Sequence, residues 1–233
     1  MTETLLTALA LIPALVFAIV FHEVAHGWTA LALGDPTAKE QRRLSLNPIR
    51  HVDPIGTLIL PGMLALAGAP VFGWAKPVPV IKQRLRNPRY GMMAVAAAGP
   101  LTNLALASIG AIAVGLLVRA GVPETASVRG FFVLSLTYFV LVNVFLAFFN
   151  LLPIPPFDGS HIVEGLLPER LAGAYERLRP FGMILFFALI ALTWFAPNLG
   201  VIDKLVGPPV SWMLERFDFL VHWASQDSFT PAY

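Results

Sequence analysis

Leu15-Val16-Phe17-Ala18-Ile19-Val20-Phe21-His22-Glu23-Val24-Ala25-His26-Gly27-Trp28 is the stretch on which the reading of this chain turns. Two histidines and a glutamate stand inside an apolar run covering residues 5–33. At ~1.5 Å per helical residue, that run can cross a ~30 Å hydrocarbon core with tilt. Gly34-Asp35-Pro36 then ends it with residues that stop a helix. Counted inward from Leu33, Glu23 lies about 15 Å deep, roughly half the core. A carboxylate at that depth costs about 2.5–3.5 kcal/mol on insertion scales, so ionisable groups placed there imply a function.

The spacing says which function. His22 and His26 are four apart and share a helix face, so two imidazoles can reach one metal. Glu23 projects beside them, towards a water on that metal. Nitrogen donors, a carboxylate third donor and one open position make a hydrolytic zinc site.

Composition agrees with a bilayer setting. Hydrophobic residues form 57% of the chain and charged residues 13%, and the mean hydropathy is +0.72. A soluble domain of 233 residues has no need of that much apolar surface. Lys+Arg 16 against Asp+Glu 14 is too slight an excess to suggest nucleic acid. The absence of cysteine excludes disulfides, thiolate metal ligands and a cysteine nucleophile. Met1-Thr2-Glu3-Thr4 lacks the positive charge of a signal peptide, so the first run is read as a retained span.

Further apolar runs cover residues 90–118, 131–152 and 181–202, with a short polar loop at 121–129. The fold expected is all-α and polytopic, with about four to six transmembrane helices. Residues 55–73 are apolar but broken by Pro61-Gly62 and Ala69-Pro70, and basic stretches flank them on both sides. If both stretches are cytoplasmic, residues 55–73 cannot cross and form a re-entrant or membrane-embedded element. The N-terminus is then outside, and the loop after the first span and the Pro-rich turn face the cytoplasm. Residues 168–179 are polar and expected at the interface, with a tail that lies on the membrane surface. Trp74, Trp212 and Trp223 read as interface anchors.

A second constellation is Asn150-Leu151-Leu152-Pro153-Ile154-Pro155-Pro156-Phe157-Asp158-Gly159. Its prolines forbid a continuous helix, and the freed backbone must be covered by protein or line a cavity. Asp158 can be aimed from there at a site between helices, or it can cap the segment that begins near Ser160. Asn103 lies inside the 90–118 run at a depth close to that of Glu23. It is either interhelical glue or a donor to a substrate carbonyl or developing oxyanion. His51 and Asp53 suit a polar turn better than an approach to the site from the re-entrant side. His161, which follows the Asp158-Gly159 turn, suits that turn or the surroundings of a metal site better than metal ligation.

Together, His22-Glu23-x-x-His26 in one span and Asn150-x-x-Pro153-x-Pro155-x-x-Asp158-Gly159 in a later one resemble the site-2 protease family of intramembrane metalloproteases. Ala98-Gly99-Pro100-Leu101-Thr102-Asn103 is similar to a family element whose asparagine lies near the metal. The resemblance runs from about His22 to Gly159, and Phe157 departs from the leucine that many members carry. It implies one zinc ion per chain on His22, His26 and Asp158, and Glu23 as the catalytic base. Asn103 is expected beside them as a catalytic donor. The implied substrate is a transmembrane segment of another protein, which must unwind to expose its peptide bonds. The Pro-punctuated stretch 71–80 offers an edge for such a segment.

The chain is read as a single membrane metalloprotease domain over residues 1–233, with a core at about 5–167 and a C-terminal span and tail at 181–233. No PDZ or CBS domain is visible, which suits a minimal form in a prokaryotic plasma membrane with the active site opening to the cytoplasm. Two other classes fit less well. A zinc binder without proteolysis has no use for Glu23, and a metal transporter would string polar residues through its spans or show an internal repeat.

Overall fold

The computed structural model describes residues 2–66, 73–121 and 128–226. In chain order the helices are α1 (Thr2–Ala32), α2 (Thr37–Glu40), α3 (Leu60–Leu66), α4 (Pro88–Arg119), α5 (Val128–Asn150), α6 (Asp158–Leu166), α7 (Glu169–Glu176), α8 (Gly182–Phe195), α9 (Val201–Leu205) and α10 (Gly207–Ser225). There is no strand among the described residues. Four segments are long and apolar enough to cross a membrane: Leu5–Ala32, Pro88–Arg119, Gly130–Asn150 and Glu169–Phe195. The protein is an integral membrane protein of the all-α polytopic kind that the sequence predicts.

α1, α4 and α5 pack against one another and form the frame of the site. Small residues face inward and large ones outward. Ala10, Ala14 and Ala18 of α1 are buried, whereas Leu5, Leu9, Ile12 and Phe17 are exposed. Lipid competes as well as protein for a large apolar side chain, so close backbone approach by small residues drives such contacts. α4 presents Ala96, Gly99, Pro100, Ala107 and Ala111 to its partners for the same reason. Asn87 starts it by accepting from the Tyr90 N–H, with Pro88 at the first helical position.

The two ends of the segment 55–73 meet. Trp74 N donates to Gly56 O at 3.0 Å and Lys76 N to His51 O at 2.8 Å. Thr57 Oγ1 donates to Trp74 O at 2.9 Å. The two ends of the segment are therefore hydrogen-bonded to each other, as a re-entrant element requires; residues 67–72 lie outside the described residues. Asp53 caps its first turn by accepting from the Ile55 and Gly56 N–H groups, and His51 bonds Ser45 O. Both are parts of a polar turn. Residues 122–127 of the 121–129 loop also lie outside the described residues.

After the re-entrant segment, residues 73–81 run extended across the end of α1, and buried charges hold them there. Arg43, one of the cations in the basic stretch before that segment, is buried and donates to Lys76 O at 2.8 Å. Asp35 is fully buried; its Oδ2 accepts from Ile81 N at 2.6 Å, and its Oδ1 accepts from Thr37 N and Thr37 Oγ1.

α10 departs from the expected surface-lying tail and packs along α4. Val210, Phe217 and Ala224 recur every seven residues and form its buried stripe, of which Val210 and Phe217 join Ala107, Ala111, Val140 and Val144 in the main apolar cluster. Only Glu215, Arg216 and Asp218 among its exposed residues carry charge at mid-helix.

Burial pushes the Asp35 carboxyl up, but the bonds from Thr37 and Ile81 and the nearby Arg84 outweigh it and hold it below its ordinary value. A carboxylate depressed in the folded state adds stability above its unfolded pKa, and that stability is lost as pH falls through the folded value. Asp35→Asn leaves buried donors unmatched and lowers stability at neutral pH by about 2 kcal/mol. Thermal unfolding in detergent checks this, and the variant should also lose part of the wild-type decline in Tm below about pH 4.

Candidate metal centre

His22 and His26 lie on the inner face of α1, both buried. Their rings stand edge to face with centroids 4.6 Å apart. They fit because of Gly99 on α4. A Cβ at that position would lie 2.5 Å from His22 Cε1 and 2.6 Å from His26 Cε1. The Ala98-Gly99-Pro100 element is thus a notch into which two imidazoles are set.

Each ring is oriented through Nδ1. His22 Nδ1 lies 2.6 Å from Asn103 Oδ1, and His26 Nδ1 lies 2.7 Å from Val95 O. Asn103 spends its amide hydrogens on Ala18 O at 3.2 Å and Asn143 Oδ1 at 2.8 Å, so its oxygen must face the histidine. Both imidazoles consequently carry their proton on Nδ1 and present the Nε2 lone pair to the same point.

Asp158 arrives from the opposite side. α5 ends at Asn150, the prolines break the chain, and Asp158 opens α6. Gly159 lets this turn close on the end of α5, since a Cβ there would lie 2.2 Å from Leu151 O. Asp158 Oδ2 lies 3.1 Å from His22 Nε2 and 3.3 Å from His26 Nε2. It is buried and has no hydrogen-bond donor of its own. A carboxylate oxygen and two imidazole lone pairs face one another within 4.8 Å. Such a donor set repels itself unless a cation lies between its members, so the three residues fit a divalent metal ion.

Glu23 lies beside this set and lines the same cavities. Its Oε2 accepts from the Val78 N–H at 2.7 Å, which ties the extended stretch 73–81 to the site. The larger cavity, about 470 Å³, reaches from His22 and Glu23 past Trp74 and Ala75 to Phe149, Met183 and Phe186. A smaller one of about 290 Å³ holds His22, Glu23, His26 and Asp158 together with His161. Trp74 lies across Gly56 and 6.4 Å from the Phe187 ring, as part of the cavity wall.

The expectation that Asn103 donates to a substrate carbonyl is corrected here. Asn103 is fully buried, and both its amide hydrogens are already used. It acts on His22, as a positioning residue. The amide that does line both cavities is Asn150, whose Nδ2 bonds Leu146 O at 2.9 Å. Asn143 went unnoticed in the sequence, although an amide amid the apolar residues of a span is itself a signal.

α6 is held to the extended stretch by an ion cluster that the sequence did not reveal. Buried Glu164 accepts from Lys82 Nζ at 2.7 Å and pairs with Arg179. Burial pushes its carboxyl up, and the two cations more than offset this and hold it below its ordinary value. Arg179 Nη2 also donates to His161 Nδ1 at 2.6 Å. Burial and that guanidinium push His161 down to about 4, so it is neutral near pH 7.

Membrane-embedded helices around a convergent His, His, Asp set with an adjacent glutamate define a membrane metalloprotease by class. The comparisons with known proteins agree. The model of peptidase family M50 matches residues 114–193. The Bacillus subtilis protein YwhC, named as a zinc metalloprotease, is 38% identical over 185 residues, which is 78% of this chain and 81% of the relative. Rip2 of Mycobacterium tuberculosis, named likewise, is 33% identical over 187 residues, 75% of this chain and 65% of the relative. MJ0611 of Methanocaldococcus jannaschii, also so named, is 35% identical over 107 residues, about half of either chain (46% and 50%). No solved structure gives a significant match. The chain belongs to peptidase family M50, the site-2 protease family.

Gly99→Ala drives a methyl group into both imidazoles. Metal content after purification should fall at least about tenfold while helix content by circular dichroism stays unchanged. Asn103→Ala should weaken metal affinity about 10–100-fold, read by competition with a chelator.

Proposed function

We propose that this protein is a zinc-dependent intramembrane endopeptidase that hydrolyses peptide bonds within or beside the transmembrane segments of other membrane proteins. One observation carries the reading: His22 Nε2, His26 Nε2 and Asp158 Oδ2 converge beside Glu23, and His22 and Glu23 also line the larger, apolar cavity. Two nitrogens and one carboxylate oxygen suit a catalytic zinc with an open position. The relatives' names support that choice of metal.

His22, His26 and Asp158 would hold one ion per chain. A zinc ion so held would supply Lewis acidity towards a water and the scissile carbonyl. Glu23 then acts as the general base. The Val78 N–H fixes one of its carboxylate oxygens, and the other takes the water's proton. As the water oxygen bonds to the carbonyl carbon and the C–N bond breaks, Glu23 returns that proton to the departing amine. Asn150, on the wall of both cavities, is the amide positioned to touch the substrate.

The extended stretch supports an unwound substrate. Trp74, Lys76 and Val78 use their N–H groups on Gly56 O, His51 O and Glu23. Backbone groups alternate in direction along an extended chain, so those of Gly73 and Ala75 point the other way. Both residues line the larger cavity. A substrate segment would pair with this short edge as an added strand. Pro77 and Pro79 carry no N–H, which confines the pairing to the Gly73–Ala75 end; residues 71 and 72 of the expected edge lie outside the described residues. The positive-inside tendency of residues 39–50 and 76–89 supports a site that opens to the cytoplasm. The bacterial and archaeal relatives support a prokaryotic plasma membrane.

The test is zinc stoichiometry and cleavage together. Detergent-purified wild type should carry close to one zinc per chain, lost in both His22→Ala and Asp158→Ala. Glu23→Gln should keep the metal and lose at least about a hundredfold in cleavage of a synthetic transmembrane substrate. Equal cleavage by wild type and Glu23→Gln would refute the general base. Zinc that survives Asp158→Ala would refute the third ligand.

A further inference from the structure

Away from the metal centre, a cavity of about 440 Å³ opens at the C-terminal end of α1. Its floor is apolar, formed by Trp28 and Leu31 of α1 with Leu44, and its rim carries Lys39, Arg42 and Arg50. The span of α1 ends at Ala32, so the rim lies where hydrocarbon gives way to headgroups.

The three cations have no carboxylate among the described residues. Glu40, the acid nearest in sequence, pairs instead with Arg84 at 3.2 Å. Arg43 and Lys82, from the same basic stretches, are committed to Lys76 O and Glu164. Lys39, Arg42 and Arg50 are all exposed. Two of them are tied together, because Arg50 Nη1 donates to the Arg42 carbonyl at 3.2 Å. Like charges gathered on one rim repel, and an anion among them removes the repulsion.

The apolar floor says what kind of anion. Trp28 is 57% exposed at the end of its span, and Leu46 and Ile49 stand out beside the rim at 52% and 78% exposure. A free phosphate gains nothing from these surfaces, whereas an acyl chain covers them. We propose that this cavity is a binding site for an anionic phospholipid of the leaflet at the C-terminal end of α1. The phosphodiester sits among Lys39, Arg42 and Arg50, and an acyl chain runs down α1 over Trp28 and Leu31. Arg42 and Arg50 suit planar, bidentate contact with phosphate oxygens, and Lys39 contributes a point charge. The site is separate from the metal centre and does not depend on the proteolytic reading.

Native mass spectrometry tests it. The full chain is purified with equal amounts of phosphatidylglycerol and phosphatidylcholine of matched acyl chains. Wild type should retain the anionic lipid about fivefold or more over the zwitterionic one. The variant carrying Lys39→Gln, Arg42→Gln and Arg50→Gln should fall to near parity. A control carrying Arg86→Gln, Arg170→Gln and Arg177→Gln, three exposed cations elsewhere, should keep the preference. A preference that survives the first variant overturns the proposal, as does one lost equally in the control. Displacement of the lipid by millimolar glycerol 1-phosphate overturns it too, in favour of a site for soluble phosphate. A second measurement needs no rim variant. Phosphatidylglycerol with brominated acyl chains should quench wild-type tryptophan fluorescence beyond brominated phosphatidylcholine, and Trp28→Phe should abolish the difference. A difference that Trp28→Phe leaves intact puts the lipid elsewhere.

Discussion

Three electron-pair donors facing one point, with little water around them, are the constraint to which the rest of this structure answers. In low dielectric, the Asp158 carboxylate and the two Nε2 lone pairs cannot be left to find their own positions. Each is held from behind. Asn103 and Val95 fix the imidazoles, and Asn143 fixes Asn103 in turn. The backbone of the Pro-rich turn fixes Asp158 through its closure on Leu151. The chain therefore spends fully buried amides inside its spans on orienting other side chains.

The layer above the site depends on charge more than on apolar burial. Arg43 and Asp35 hold the extended stretch 73–81 by its backbone. Lys82, at the end of that stretch, reaches Glu164 on α6. Glu164 lies six residues after Asp158 on the same helix, so the residue that faces the histidines and the stretch that touches Glu23 belong to one connected unit. An extended backbone in or beside a bilayer has few ways to satisfy its polar groups. Buried side-chain donors and acceptors meet that need here, and alternate N–H groups are spent on fixed partners. Gly73 and Ala75, which alternate with the committed residues, line the cavity.

The histidine and glutamate motif was readable because a hydrophobic span makes any ionisable residue conspicuous, and the i, i+4 spacing needs only the geometry of one helix. Asp158-Gly159 was readable as a turn at a span's end. The re-entrant reading of the broken segment 55–73 rested on the flanking basic residues, and the hydrogen bonds between its two ends agree with it. Arg43 and Lys82 were not separable from their neighbours in those stretches, because nothing local distinguishes a cation that anchors at a headgroup from one that reaches a buried carbonyl or carboxylate. Asn103 was legible as a residue that matters, but not in its role. An amide at the depth of Glu23 can point to the cavity or to a neighbouring ring, and the sequence carries no information on which. The tail was read as lying on the membrane surface, and its packing along α4 and α5 through the stripe of Val210, Phe217 and Ala224 was not legible.

By itself, then, the sequence determined the membrane setting, the helical class and the pairing of two motifs into one chemistry, since hydropathy and helix periodicity act over a turn or a span. Only the tertiary structure decided which atoms meet: which nitrogen of each histidine is free, which amide lines the cavity, and which cations are paired. Those choices follow mostly from contacts between residues far apart in the chain, such as Asn103 with Asn143, 40 positions away, and with Ala18, 85 positions away. Their energies depend on distances and burial that no local pattern encodes.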